Sequence, residues 1–305
     1  MMNMFVRALL ILLGVLVLFV LVIGVGFTLA NRTNGTIISS GAVRKYLLYV
    51  PHGYDPSVPT PLVITIHGFA QWPAHQMHIT HWNDLADEYG FIVAYPAGTR
   101  FPLRWRVHGE AGSDLDPALD VTFISDLIEK LETDYNIDPS RIYANGLSNG
   151  GAMSFLLSCR MSDRIAAIGT VAGAFMIPWE ECQPARPVPA IIFHGTGDPI
   201  VPYEGGEYKR LDVPFPSIPV WVDTLARRNG CEAVLLDLPA VGDVSGVEYT
   251  GCSADVIFYT ITGGGHTWPG GEPIPAWIAG YTSKDIDATR TIWEFFQSHP
   301  LVGGG

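Results

Sequence analysis

From Gly35 onward, short apolar runs alternate with segments whose apolar residues recur at helical spacing. The run 61–66 is almost continuously apolar, which is typical of a strand buried on both faces of a parallel sheet. Residues 120–135 instead place Val, Ile and Leu side chains three or four positions apart, which predicts an amphipathic helix. Strands that alternate with helices in this way indicate an α/β fold, a mostly parallel sheet with helices on both faces.

The same patterns place further elements along the chain. Predicted strands occupy 43–50, 91–95, 141–145, 165–171, 188–193 and 256–261, and predicted helices occupy 82–89, 151–159, 219–228 and 287–299. Proline or glycine ends several of these segments, as at Pro51 and Gly90. A long loop rich in Gly, Arg and Asp is predicted over 97–117.

The first thirty residues contain the most apolar segment of the chain. Arg7 precedes the run 8–30, which holds 23 residues and no charge. As a helix this run would extend roughly 34 Å, enough to cross a ~30 Å hydrocarbon core. We therefore predict an uncleaved membrane anchor, with cleavage of a long signal peptide after Ala30 as the alternative, and both interpretations export the rest of the chain. The predicted organisation is an anchor and linker at 1–34, one globular domain at 35–302 and a flexible tail at 303–305.

The amino-acid composition restricts which kinds of molecule the protein is expected to bind. A formal net charge of -12 and a pI near 5.1 disfavour binding to nucleic acid and favour a neutral or weakly polar substrate. The four cysteines, Cys159, Cys182, Cys231 and Cys252, show no Cys-x-x-Cys spacing, so a zinc or redox motif is not expected. Two disulfides are possible if the compartment is oxidising.

An apolar strand runs directly into Gly146-Leu-Ser148-Asn149-Gly150 and then into a predicted helix. This Gly-x-Ser-x-Gly pattern predicts a nucleophile elbow, a tight turn that exposes the serine Oγ while its glycines leave room for neighbouring backbone. The turn also directs the backbone N–H of Asn149 toward an oxyanion formed on a carbonyl that Ser148 attacks. A glycine-rich turn with a structural serine is the alternative interpretation.

Two polar residues supply the partners that a reactive serine needs. Asp198 and His266 each follow an apolar strand within glycine-rich turns, and they come after Ser148 in the order serine, acid, histidine. This agreement predicts a catalytic triad. The alternatives are a turn aspartate that caps Pro199 and a loop histidine without a partner.

The strand that ends at His67-Gly68 is expected to lead into a second oxyanion donor. The backbone N–H of Phe69 is the preferred donor, and that of Ala70 is the alternative. The other histidines lack metal-ligand spacing, so no metal or cofactor is expected, and they are interpreted as surface or packing residues. They include His75, His78, His81, His108 and His194.

Several motifs together carry a resemblance to a known family. They are His67-Gly68, Asp138-Pro-x-Arg141-Ile-Tyr143, Gly146-Leu-Ser148-Asn149-Gly150, His194-Gly-Thr-x-Asp198-Pro and Gly263-Gly-Gly-His266-Thr-Trp268-Pro-Gly270. Over about residues 40–300 the chain resembles the secreted α/β-hydrolase esterases described as polyhydroxybutyrate depolymerase-like and as feruloyl or acetylxylan esterases.

The resemblance implies an α/β-hydrolase fold with Ser148 as the nucleophile, Asp198 as the acid and His266 as the base. It also implies two disulfides, Cys231 with Cys252 and Cys159 with Cys182. The sequence departs from the family pattern after Gly68, where Phe69-Ala70 replaces smaller residues. A tighter acyl pocket is expected at that position.

These residues predict a serine carboxylic ester hydrolase that works through an acyl-enzyme without a cofactor. A peptidase or acyltransferase on the same scaffold is one alternative, and a membrane-anchored binding module without activity is another. Trp268 and Trp105 are expected to border the cleft as aromatic walls, unless both pack loops onto the sheet. Such walls favour esters with a flat or short acyl group. The sequence between the elbow helix and Asp198 also has no long apolar insertion that could shelter a long acyl chain. The expected substrates are therefore short acyl esters, including feruloyl or acetyl esters of plant polysaccharide and hydroxybutyrate oligomers.

Overall fold

The computed structural model describes residues 12–14, 32–109, 111–206 and 214–301. The predicted N-terminal anchor, apart from 12–14, and the predicted C-terminal tail lie outside this part of the chain. Within these ranges no helix is both long enough and apolar enough to cross a bilayer. The membrane-spanning segment at 8–30 therefore stays a prediction.

One ten-stranded sheet forms the centre of the described structure. In chain order its strands are β1 Gly35–Ser39, β2 Ala42–Tyr49, β3 Thr60–Ile66, β4 Ile92–Pro96, β5 Ile137–Leu147, β6 Ile168–Val171, β7 Ala190–Gly195, β8 Leu235–Val241, β9 Val244–Tyr249 and β10 Val256–Ile261. Their order across the sheet is β1-β2-β4-β3-β5-β6-β7-β10-β9-β8. The strands from β4 to β10 in that order pair in parallel, and antiparallel pairs complete both edges. The predicted mostly parallel sheet is confirmed.

The burial of a strand determines whether its apolar pattern in the sequence is strong enough to predict it. Every residue of β3, β4, β6 and β7 is buried, as expected for strands covered by helices on both faces. The edge strands β1 and β8, which the pattern does not predict, have alternating or mostly exposed side chains. Their weak apolar signal follows from their position at the sheet edges.

Helices cover both faces of the sheet. They are α1 Pro73–Thr80, α2 Trp82–Tyr89, α3 Ala118–Asp134, α4 Asn149–Arg160, α5 Ile218–Arg228, α6 Ala276–Ala279 and α7 Ala288–Gln297. Helices α3, α4 and α5 contribute Phe123, Phe155 and Trp221 to one core cluster. Helices α2 and α7 contribute Trp82 and Phe296 to a second cluster, so the described chain has the layered core that the sequence predicts.

Two disulfides connect loops to the sheet and its helices. Cys159, in the last turn of α4, is bonded to Cys182 in the loop before β7. Cys231, which follows α5, is bonded to Cys252 in the loop before β10. Both pairs match those that the resemblance implies, and they indicate an oxidising compartment.

Candidate active site

Ser148 lies at the turn between β5, which ends at Leu147, and α4, which begins at Asn149. Its backbone angles are φ 59° and ψ -121°, a combination that L-residues rarely adopt. Hydrogen bonds hold this conformation: the Ser148 N–H donates to the Val171 carbonyl at 2.9 Å, and the Ser148 carbonyl accepts from the Ala152 N–H at 3.0 Å. The strand therefore turns into the helix with a strained serine at its tip.

The two glycines that flank this turn are required by close backbone contacts. A Cβ atom on Gly146 would lie 2.5 Å from backbone atoms of Gly150 and 2.7 Å from the Ile66 carbonyl oxygen. A Cβ atom on Gly150 would lie 2.1 Å from that same Ile66 oxygen. Because real side chains do not tolerate such distances, only glycine lets the elbow pack this closely against the end of β3.

Asp198 and His266 are brought together by the loops after β7 and β10. The Nδ1 atom of His266 donates to Oδ2 of Asp198 at 2.7 Å, and both side chains are buried. The other carboxylate oxygen of Asp198 accepts hydrogen bonds from the N–H groups of Ile200 and Val201, both at 2.8 Å. With the proton on Nδ1, the Nε2 atom of His266 is the one that can accept a further proton.

The surroundings of Asp198 keep its carboxylate ionised. Burial by itself would raise the pKa of Asp198, but the charge and hydrogen bond of His266, with His194 and the Val201 N–H, lower that pKa below its ordinary value. The His194 Nε2 atom lies 3.4 Å from Oδ2 of Asp198 and donates to the Val201 carbonyl at 2.9 Å. An ionised carboxylate at this position holds the His266 ring in one tautomer.

Ser148, Asp198 and His266 all lie beyond the carboxyl ends of neighbouring parallel strands. Strand β6 separates β5 from β7, and β10 lies beside β7. The loops of Asp198 and His266 are also hydrogen-bonded to each other, since the Gly197 N–H donates to the Gly264 carbonyl at 2.9 Å. The fold thus gathers the three predicted residues at one edge of the sheet, where ligands bind in open α/β sheets.

The backbone N–H groups of Phe69 and Asn149 donate to no acceptor among the described residues. By contrast, the N–H of Ala70 donates to a backbone carbonyl at 2.8 Å. Asn149 is the first residue of α4, where N–H groups lack helical partners and the helix dipole is positive. The loop of Phe69 is adjacent, because a Cβ atom on Gly68 would lie 3.3 Å from the Cβ of Ser148. Phe69 is therefore a better candidate donor than Ala70.

The histidines other than His266, which pairs with Asp198, have other surroundings. His194 is buried beside Asp198, and His81 lies 3.3 Å from Glu272. In the ranges that the structure describes, no group of three or more His, Cys, Asp or Glu side chains is placed to hold a metal ion.

Known proteins with related sequences are esterases. The family model described as Esterase PHB depolymerase matches residues 44–185. Feruloyl esterase C of Emericella nidulans is 28% identical over 270 residues, which cover 87% of this chain and 87% of that protein. A bifunctional acetylxylan esterase/xylanase of Neocallimastix patriciarum is 33% identical over 164 residues, which cover 54% of this chain and 23% of that protein.

The fold is shared with solved structures. Acetyl xylan esterase from Aspergillus awamori superimposes with a TM-score of 0.57 at 16% identity, and the alignment covers 86% of this chain and 98% of that one. The chain therefore has the α/β-hydrolase fold, and its sequence is similar to those of these esterases. This esterase is accordingly a carboxylic ester hydrolase, as the sequence predicts.

The two tryptophans that were expected to wall the cleft are buried in the esterase. Trp268 is 1% exposed, and its indole Nε1 donates to Oγ1 of Thr289 on α7 at 2.8 Å. Trp105 is 3% exposed, and its Nε1 donates to the His67 carbonyl at 2.9 Å. Because neither ring offers an open face, the expectation of substrate-binding walls is corrected: both residues pack loops onto the sheet.

Exposed aromatic rings lie instead on the segment that pairs with the His266 loop. Trp277 on α6 is 86% exposed and Tyr281 is 51% exposed. The His266 N–H donates to the Ala279 carbonyl at 2.6 Å, and the Gly265 N–H donates to the Tyr281 carbonyl at 2.8 Å. Only backbone pairing in the folded chain brings this segment beside the His266 loop, so the local sequence pattern does not place these rings there.

Proposed function

We propose that Ser148, His266 and Asp198 form the catalytic triad of the esterase. The observation that carries this proposal is the 2.7 Å hydrogen bond from His266 to Asp198 at the sheet edge where the elbow presents Ser148. Asp198 keeps the proton on Nδ1 of His266, which leaves Nε2 as the base for the serine hydroxyl. The Phe69 and Asn149 N–H groups are the oxyanion donors in this proposal.

The proposed reaction passes through an acyl-enzyme. The Ser148 Oγ attacks the ester carbonyl carbon while its proton moves to Nε2 of His266. The oxyanion of the tetrahedral intermediate accepts hydrogen bonds from Phe69 and Asn149, the C–O bond to the alcohol breaks, and His266 gives its proton to the departing alkoxide. A water molecule then attacks the acyl-enzyme and passes a proton to His266. The acid leaves as Ser148 regains that proton.

The proposed substrates are esters of short or aromatic acids, namely acetyl or feruloyl esters of plant polysaccharide and hydroxybutyrate oligomers. Relatives of the chain are named as a feruloyl esterase and an acetylxylan esterase/xylanase. Between α4 and Asp198, the fully described stretch 161–197 holds β6, β7 and the one-turn helix Trp179–Glu181. It has no apolar insertion of the kind that would shelter a long acyl tail.

Replacement of Ser148 tests whether it is the nucleophile of the proposed triad. Ser148→Ala should lower kcat by about 10⁶-fold, because a triad acts as a unit and loses most of its effect when one member is removed. The far-UV circular dichroism of the variant should match that of the wild type. A folded variant that keeps more than a few per cent of the activity would rule out Ser148 as nucleophile.

A series of ester substrates tests which acyl groups the enzyme prefers. We expect kcat/KM on p-nitrophenyl esters to be highest for short acyl chains and to fall as the acyl chain lengthens. We also expect hydrolysis of methyl ferulate or of 3-hydroxybutyrate oligomers. The Ser148→Ala protein serves as the blank for every substrate. A maximum at long acyl chains, with no activity on ferulate or hydroxybutyrate, would contradict the proposed substrate class.

The esterase is further proposed to act outside the cytoplasm, held to a membrane by residues 8–30. Both disulfides support export, since such bonds persist in oxidising compartments. Mass spectrometry of the protein from its native host should find the N-terminus ahead of Ala8, with release from membranes only by detergent. A soluble protein that starts at Asn31 would select cleavage of a signal peptide instead.

A further inference from the structure

Trp105 lies between the two segments that carry the proposed oxyanion donors. Its indole Nε1 donates to the His67 carbonyl at 2.9 Å, in the peptide directly before the Gly68–Phe69 peptide. The indole ring of Trp105 also lies close to the imidazole ring of His67, with the ring centroids 5.3 Å apart. Trp105 thereby holds the backbone that leads to the first donor, Phe69.

The main chain of Trp105 holds the second donor. The Trp105 N–H donates to Oδ1 of Asn149 at 2.7 Å, and Nδ2 of Asn149 donates back to the Trp105 carbonyl at 3.3 Å. Asn149 is buried, so these two hydrogen bonds lock its side chain in a site shielded from water. They fix the first residue of α4 directly to Trp105.

The His67 ring sets the direction of the Phe69 N–H. Its Nε2 accepts the Gly98 N–H at 2.9 Å, so Nδ1 carries the proton and donates to the Gly68 carbonyl at 2.7 Å. The Gly68 carbonyl and the Phe69 N–H belong to one trans peptide and point in opposite directions. Holding the carbonyl on one side therefore aims the N–H to the other side.

The loop that carries Trp105 is itself firmly anchored. The Arg106 N–H donates to Oδ2 of Asp120 at 2.7 Å, and its guanidinium contacts Oδ1 at 2.9 Å. Asp120 is fully buried and also pairs with Arg44 at 2.8 Å. The Trp105 ring lies nearly parallel to Phe123 of α3, with centroids 6.4 Å apart. Trp105 is thus a fixed point against which other backbone can be positioned.

We propose that Trp105 is a positioning residue that sets the separation and direction of the Phe69 and Asn149 N–H groups. This inference rests on the proposed function, in which these two groups bind the oxyanion. The two donors belong to different elements, the loop after β3 and the start of α4, and oxyanion stabilisation requires that both be aimed before the reaction begins. Trp105 contacts both elements at once.

The test compares two buried tryptophans that each make one indole hydrogen bond. Trp105→Phe keeps an aromatic ring but loses the bond to His67, whereas Trp82→Phe loses a 3.1 Å bond to Asn145 beneath the other face of the sheet. For Trp105→Phe we expect kcat/KM on p-nitrophenyl acetate to fall about 10- to 100-fold, less than the loss of a whole oxyanion donor. For Trp82→Phe we expect a lower melting temperature with kcat/KM within about twofold of the wild type.

A second readout separates positioning from general loosening of the fold. Phenylboronic acid forms a tetrahedral adduct on a reactive serine, so its inhibition constant should rise in Trp105→Phe in parallel with the fall in kcat/KM. The same constant should stay unchanged in Trp82→Phe. Equal losses of kcat/KM in both variants, or an unchanged inhibition constant in Trp105→Phe, would overturn the proposal.

Asn149→Ala covers the case in which Trp105→Phe does not fold. This variant keeps the backbone N–H of residue 149 but loses both hydrogen bonds to Trp105, so the same fall in kcat/KM and rise in inhibition constant are expected. Unchanged values would overturn the proposal. Failure of the proposed function would show itself separately, as a Ser148→Ala protein that remains active.

Discussion

His67 shows how a buried histidine can act as a fixed, neutral hydrogen-bonding group. Burial lowers the pKa of His67 to about 4, so the ring carries no charge at neutral pH. Its Nε2 accepts a hydrogen bond from the Gly98 N–H. Protonation would turn this acceptor into a donor that faces another donor, so acid should act directly on the network around Gly68.

Acid should therefore destabilise the esterase through His67. The unfolded chain takes up this proton near pH 6.5 and the folded chain near pH 4, so stability is lost as the pH falls through that window. The loss should reach about 3 kcal/mol. Urea unfolding at pH 7 and pH 4 should show that His67→Gln loses about 3 kcal/mol less than the wild type, because the two proteins share all other titrating groups. An identical pH dependence in both proteins would contradict this assignment.

Individual residues also show where sequence reasoning ends. The convergence of Ser148, Asp198 and His266 can be predicted, because each follows an apolar strand and parallel strands end at the same sheet edge. Trp268 follows His266 by two residues, yet its indole points to Thr289 of α7. Trp105 meets Asn149, which is 44 positions away in the chain. The direction of a buried ring depends on such distant partners, which no local pattern encodes.

At the scale of elements, the short helix α6 carries the exposed ring of Trp277 and lies beside the His266 loop. Its four residues are too few for a helix that is stable alone, so its place depends on contacts with the rest of the fold. Among those contacts, the Ala279 carbonyl at the end of α6 accepts the His266 N–H, and the Tyr281 carbonyl just after α6 accepts the Gly265 N–H. Trp277 is therefore attached to the same backbone that carries the proposed base.

Removal of the Trp277 ring should affect aromatic substrates selectively. For Trp277→Ala we expect KM on methyl ferulate to rise roughly 3- to 10-fold, the effect of losing one aromatic contact. Little change is expected in the KM of p-nitrophenyl acetate, measured by release of p-nitrophenol, because its acyl group is not aromatic. Val220→Ala, which alters an exposed side chain on α5, is the control and should change neither value. An equal effect on both substrates, or none on ferulate, would remove Trp277 from the binding surface.

The elements that the sequence predicts are those with a strong apolar signal. The central strands are continuously apolar because both of their faces are covered. Helix α1 begins at Pro73, carries two histidines and a glutamine, and has no clear apolar stripe, so its pattern is typical of a loop. It is a helix in the structure, with Pro73 in its first turn, where proline is tolerated, and with Gln76 and Ile79 buried.

At the scale of the whole molecule, both disulfides lie away from the proposed triad. Cys159 is in the last turn of α4, whereas Ser148 precedes its first residue, and ten helical residues span roughly 15 Å. Cys252 precedes β10, whereas His266 follows that strand. The bonds therefore constrain the scaffold at the amino ends of the strands, and the proposed chemistry takes place at the carboxyl ends.

Loss of either disulfide should reduce stability without reducing the rate of hydrolysis. The bonded cysteines are 23 and 21 positions apart, and closing loops of this length stabilises the folded state by about 3 kcal/mol. Urea unfolding of the two double Cys→Ser variants should show this loss, with kcat close to that of the wild type at a temperature where both remain folded. Thiol titration of the unfolded, unreduced wild type should find no free cysteine. Free thiols, or a large fall in kcat, would contradict this account.

At Ser148 the stability of the fold and the proposed chemistry make opposite demands on one residue. Its φ of 59° and ψ of -121° disfavour the folded state by about 1–3 kcal/mol for a residue with a side chain, whereas glycine adopts such angles readily. Glycine at this position would relieve that strain but would remove the hydroxyl group. The serine is thus a local loss of stability that, in the proposed mechanism, keeps the nucleophile in place.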